Sequence, residues 1–129
     1  MHKIRLGRPW TRIAGSERDG LRVDVPDMHP LSDSFISPGD AVVYQRNFNS
    51  PSGLTVANTV HLKISEWSGI LQTLHVNEVA FSPPVAPWVI DISRCLQSHN
   101  RIEVKLVSAT GEVPCLTGEV MLMIQEDDE

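Results

Sequence analysis

An all-β fold, an antiparallel β-sandwich or jelly roll of about eight strands, is what this sequence predicts. Three observations predict it. Apolar side chains recur at every second position in run after run, which places them on one face of a pleated strand. Turn-forming clusters separate the runs: "SPGD" at 37–40, "SPSG" at 50–53, "SPPVAP" at 82–87 and "ATGE" at 109–112. Nine prolines and eight glycines fall almost wholly between the runs, which leaves no room for long helices.

The elements follow in chain order. The predicted strands are Lys3–Trp10, Leu21–Val25, Val42–Asn47, Val60–Ser65, Leu71–Val76, Trp88–Ile92, Arg101–Val107 and Thr117–Gln125. In "LRVDV" the residues Leu21, Val23 and Val25 share a face. In "VHLKI" Val60, Leu62 and Ile64 oppose His61 and Lys63. Trp88, Ile90 and Ile92 alternate inward, leaving Asp91 to face outward or cap the turn that follows. "IEVKL" sets Ile102, Val104 and Leu106 against Glu103 and Lys105, and "VMLMI" sets Val120, Leu122 and Ile124 against Met121 and Met123. One polar face per strand describes antiparallel sheets covered on one side only.

The chain has 129 residues, 41% hydrophobic and 21% charged, enough to close one core in the usual soluble range. A single domain over residues 1–125 is expected, followed by a disordered acidic tail at 126–129. No apolar run is long enough for a membrane-spanning helix, and the basic start "MHKIRLGRPW" lacks the apolar stretch of a secretory signal. The chain therefore reads as cytoplasmic, with no membrane partner. Net charge is −5, unevenly spread: residues 1–22 carry six cations against two acids, a balance of +4, and the remainder carries −9. An acidic body of this kind excludes a nucleic-acid partner, which needs a broad basic face. The early cations are expected on the solvent side of strands. Cys95 and Cys115 have no CxxC spacing near them and read as buried free thiols.

The order of certain pieces carries a resemblance. "VYQRNF" (43–48), "VHLKI" (60–64), "LHVNEV" (74–79), "WVIDIS" (88–93) and "HNRIEVKL" (99–106) follow one another as matching pieces do in the galactose-binding-like jelly roll. The sequence resembles the non-catalytic N-terminal sugar-binding domain of family-two glycoside hydrolases. That domain has a "Y-R-x-F" strand, an aliphatic strand, a strand ending in "V-N-G", an aromatic leading into "D-I-T", and "G-x-N-x-L-x-V". The early "IRLGRPW" and "VDVP" resemble its opening elements, so the likeness runs almost end to end. It implies that Asn77, Asp91 and Asn100 are residues of the fold rather than of a binding site. Asn77 stands where the family has the Asn of a tight Asn-Gly hairpin, but Glu78 replaces the glycine. Since Glu meets steric resistance at positive φ, a turn of another type or a bulge is expected.

No catalytic constellation is visible. GxSxG, the P-loop, GxGxxG, HExxH and EF-hand spacing are all missing. His2, His29, His61, His75 and His99 are scattered. His61 and His75 would be neighbours only if their strands paired, and two exposed imidazoles make a poor metal site. Glu66 and Glu112 are carboxylates of the type glycoside hydrolysis needs, but in the resembled enzymes the catalytic acids belong to a separate barrel domain. The chain is read as no enzyme, with no cofactor and no metal.

Binding needs less machinery. A ring against a pyranose face, with amides and carboxylates on the hydroxyls, is the usual recognition of sugars. Trp88 has the inward phase of its strand, and Trp10 matches a packing position. Trp67, in the "SEWSG" loop, is the tryptophan free to face solvent or to lie as a lid over the core. If strands alternate in direction, loops 66–70, 82–87 and 108–112 share one end and 49–59, 77–78 and 93–100 the other. Trp67, Glu66 and Thr110 are thus the candidate ligand-binding residues, and the long segment 26–40 with Asp27, His29 and Asp33 covers one end or the other. The expected partners are a carbohydrate or, alternatively, a protein. The alternative reading is an interaction or structural module with no sugar site, possibly an oligomer subunit with Met121 and Met123 buried against its neighbour.

Overall fold

A computed structural model describes residues 2–14, 20–27, 40–51, 53–54, 58–81 and 88–125. Within them the chain forms ten strands: β1 (His2–Arg5), β2 (Trp10–Ala14), β3 (Leu21–Val23), β4 (Ala41–Asn49), β5 (Thr59–Ile64), β6 (Ile70–Val76), β7 (Val79–Phe81), β8 (Trp88–Asp91), β9 (His99–Val107) and β10 (Val120–Gln125). They make two antiparallel sheets, a four-stranded one in the order β1-β10-β5-β8 and a six-stranded one in the order β3-β2-β4-β9-β6-β7. The all-β sandwich expected from the period-two alternation is the architecture observed. The acidic tail and the 82–87 loop lie outside the described residues, as do His29 and Asp33.

The alternation works as the pattern demands. Val60, Leu62, Ile64, Val120, Leu122 and Ile124 of the small sheet face Val42, Tyr44, Ile102, Val104 and Leu106 of the large one, all buried. Trp10 and Trp88 join this core. In β6 the spacing slips. Leu71 pairs with Leu106 and Thr73 with Lys105, so Gln72 is the extra residue of a bulge. The bulge brings Leu71 and Leu74, three apart in sequence, onto the same buried face.

Two expectations are corrected. The single opening strand Lys3–Trp10 is two strands in different sheets. Between them Leu6 is buried, its N–H donates to Val120 O, and the Trp10 indole N–H donates back to Leu6 O at 2.6 Å. Pro9 has no N–H for a ladder, and the chain uses "LGRP" to pass from one sheet to the other. Second, the early cations do not all face solvent, because Arg12 lies inside the sandwich against Asp27. Its phase is the inward one, between buried Trp10 and the half-buried Ala14 that packs on the core. The strands of His61 and His75 do not pair, because β5 lies in the small sheet and β6 in the large one, so the two imidazoles are not neighbours.

The two thiols sit at opposite ends. Cys95 is half-buried in the turn after β8, whose carbonyl meets Asn77, and buried Cys115 is bridged to Ser68. A disulfide requires Cα atoms within about 7 Å, a distance far shorter than the length of the sandwich.

Candidate functional site

The register settles which loops share an end. Ile70 pairs with Val107, so the 65–69 loop and the bend 108–112 lie together; Val76 pairs with Ile102 and Asn49 with His99, which gathers 49–51, 77–78 and 93–100 at the other end.

The first end holds the candidate residues. The 65–69 loop is laced to the strand leading into β10. Ser65 N–H donates to Glu119 O, Gly118 N–H to Glu66 O, and Ser68 and Cys115 exchange two backbone bonds. Gly69 adopts φ +88, and a Cβ there would come within 2.7 Å of Val107 O. A loop tied on both flanks holds its side chains in place without a ligand. Trp67 is half-buried and packs on the core while Glu66 is exposed. The ring is therefore both a lid and a partly open surface.

Thr110 stands in the neighbouring bend, exposed. Its hydroxyl donates to Glu112 Oε2 at 2.5 Å and its N–H to the same atom at 2.8 Å, while Ala109 N–H donates to Oε1. The Thr110 hydroxyl first, and the backbone donors after it, pull the Glu112 carboxyl down to about 2. A carboxyl so held is ionised at neutral pH and has no proton to give a leaving group.

At the opposite end Asn77 is a fold residue, as the resemblance implies. It takes φ 58 and Glu78 does not take a left-handed φ, so the two-residue hairpin differs from the Asn-Gly type in which both residues are left-handed. Its amide donates to Cys95 O at 2.6 Å and to Asn100 Oδ1 at 3.1 Å, and its Oδ1 accepts from Arg101 N–H at 3.0 Å. Asn100, buried, accepts from Gln97 N–H and donates to Gln97 O, which ties off the 93–100 loop. Asp91 caps its turn by accepting from Ser93 N–H at 2.9 Å, and the Ser93 bonds hold its carboxyl below the usual range.

The sequence reading missed a concavity beside these amides, of about 400 Å³, lined by Asn47, Phe48, Asn49, Asn77, His99 and Arg101 among others. The outward phase of Asn47 and Asn49 in "QRNFN" was its signal, hidden because only the strand pairing shows what stands opposite. Among the described residues no group of three His, Cys, Asp or Glu side chains converges as metal ligands do.

No family model and no curated protein sequence matches the chain. Solved structures do. An FMN-binding β-glucuronidase from Facaelibacterium prausnitzii L2-6 matches with a TM-score of 0.74 at 17% identity, over 97% of this chain and 22% of its own. A β-D-mannosidase from Dictyoglomus thermophilum matches with a TM-score of 0.75 at 11% identity, over 95% and 22%. A Bifidobacterium dentium β-glucuronidase, solved with coumarin-3-O-glucuronide, matches with a TM-score of 0.73 at 13% identity, over 99% and 30%. This chain thus spans roughly a fifth to a third of these three structures. At these identities the likeness is one of fold, and nearly the whole chain has the β-sandwich fold of a domain within glycosidases.

Proposed function

We infer that this chain is a non-catalytic β-sandwich module that binds carbohydrate at the end carrying Trp67. The observation that supports this most is the Trp67 loop itself: a half-open ring on a loop held by backbone bonds at both flanks, beside an exposed carboxylate, Glu66. An aromatic ring fixed before binding loses little entropy when a pyranose stacks on it, and Glu66 supplies acceptors for hydroxyl protons. Thr110 contributes a hydroxyl whose proton is engaged by Glu112 and whose lone pairs remain acceptors. The non-catalytic reading draws on the chain's small share of the glycosidases it resembles. The test is tryptophan fluorescence during titration with a panel of neutral mono- and oligosaccharides. A saturable change that Trp67→Ala abolishes is expected; a flat response to every sugar refutes the reading, and turnover of an aryl glycoside by the isolated chain refutes its non-catalytic part.

One observation favours a second reading, a protein-interaction module. The outer face of the small sheet sets half-buried Met121 and Met123 beside Lys3, Arg5 and Lys63, with Val89 45% exposed at its margin. Such a face suits burial against another protein. Light scattering decides whether the chain self-associates, and a monomer at high concentration removes the oligomer form of this reading.

A further inference from the structure

The concavity at the far end from Trp67 has a chemistry of its own. β4 and β9 pair so that Asn47 stands opposite Arg101 and Asn49 opposite His99. All four occupy the outward phase of the large sheet, because Phe48 and Asn100, between them in register, are buried. Cross-strand neighbours lie about 5 Å apart, so the four heads form one cluster. Asn49 Oδ1 and His99 Nδ1 meet at 2.7 Å, which orients the imidazole and leaves Nε2 at the surface. Phe48 lies beneath, and Asn77, locked by its bonds to Cys95 and Asn100, closes one side.

The lining matters for its charge. It contains Arg101 and no carboxylate, in a chain whose net charge is −5. Glu103 meets Arg101 only at 4.0 Å, with the Arg101 side chain 57% exposed, and its Oε2 also accepts from Gln45. A contact of that length between exposed groups is weak and leaves the guanidinium fork open to a competing carboxylate. Beside it Asn47 presents a donor and an acceptor, and His99 Nε2 a second polar atom, on the same face.

We propose that this concavity is a second ligand site, taking a small carboxylate that also bears hydroxyls, a sugar acid, with Arg101 on the carboxylate and Asn47 and His99 on the hydroxyls. The site lies at the other end of β9 from the Trp67 loop, eight residues or roughly 25 Å away. It stands whether or not Trp67 stacks on a sugar. Affinity on the order of millimolar is expected, since the concavity is open and buries only part of its ligand.

The test is an amide chemical-shift titration of the labelled chain with D-glucuronate, D-glucose and acetate as separate probes. D-Glucuronate is expected to move the signals of Asn47, His99 and Arg101 saturably and to bind about tenfold more tightly than either fragment of its chemistry. Arg101→Gln should weaken it by about tenfold, Asn47→Ala by a smaller factor, and Arg5→Gln, the same charge loss on the other sheet, not at all. Equal affinity for glucose and glucuronate overturns the proposal, as does equal weakening by Arg101→Gln and Arg5→Gln, or saturation confined to the signals of Ser68 and Gly69. Surface substitutions of this kind leave the fold intact, which the unshifted signals of Leu62 and Val104 verify.

Discussion

Arg12 Nη1 donates to Asp27 Oδ2 over 2.5 Å inside the sandwich, and the same oxygen accepts the Tyr44 hydroxyl at 2.8 Å. Both charged side chains are almost wholly buried. Burial alone would lower the Arg12 pKa, yet the bond and attraction to Asp27 outweigh it and raise it, so the guanidinium stays charged. Burial, with Asp27 next, pushes the Tyr44 phenol up as well, so it serves as a donor. Cys115, whose thiol burial also pushes up, places its S–H towards Asp27 O. The cluster joins β2 and β4 to the segment after β3, which the bond from Asp27 N–H to Leu116 O ties in turn to the stretch before β10.

Removing one member should therefore cost far more than removing both. Asp27→Ala leaves a guanidinium without the carboxylate it shares with Tyr44, and about 3–5 kcal/mol of stability should be lost. The double change Arg12→Met with Asp27→Leu should recover most of that. Urea denaturation at constant m-value measures both. A double variant no more stable than Asp27→Ala would show that the two sites do not act as one.

Asn77 carries a backbone role and a side-chain role, and two substitutions separate them. Asn77→Gly keeps the left-handed φ but loses the amide's bonds to Cys95, Asn100 and Arg101, a loss of about 1–3 kcal/mol. Asn77→Ala loses the bonds and the easy φ as well, and should fall roughly 1 kcal/mol further. Equal stability of the two variants would mean that the turn tolerates any residue there.

Glu112 should make the 108–112 bend sensitive to acid. Its carboxyl is lowered from 4.5 to about 2 in the folded chain. A depressed folded value contributes stability that is present above the unfolded value and lost as pH falls through the folded one. The advantage of the wild type over Glu112→Gln should thus be largest at neutral pH and close between about 4.5 and 2. Thermal melts of both chains across that window test it, and a gap independent of pH would contradict the bonding described.

Gly69 and Gly111 both take left-handed backbone, at φ +88 and +92, but their surroundings differ. A Cβ at Gly111 meets nothing within 4 Å, so Gly111→Ala should cost only about 1 kcal/mol for the backbone. At Gly69 the added carbon meets Val107 O at 2.7 Å, so Gly69→Ala should cost clearly more and displace the Trp67 loop. The amide signals of Trp67 and Ser68 in the labelled chain report the displacement. Matched losses at the two glycines would show that the loop yields freely.

What the sequence determined by itself was the class of fold and most of the strands, because a period of two acts locally: each strand's inward set is written in its own residues, as in Val60, Leu62 and Ile64. Asn77, Asp91 and Asn100 were legible as fold residues through the family resemblance; the Asp91 bond to Ser93 stays within its own turn, whereas Asn77 reaches Cys95 and Asn100. Tertiary structure alone decided the rest. The division of the opening strand between two sheets depends on Leu6 finding Val120, 114 positions on. Arg12 is inside only because Asp27, carried there by the chain after β3, neutralises it. The polar concavity exists because β9 lays His99 and Arg101 against Asn49 and Asn47, some fifty residues earlier. Periodicity says which way a side chain points; only the pairing of distant strands says what it meets.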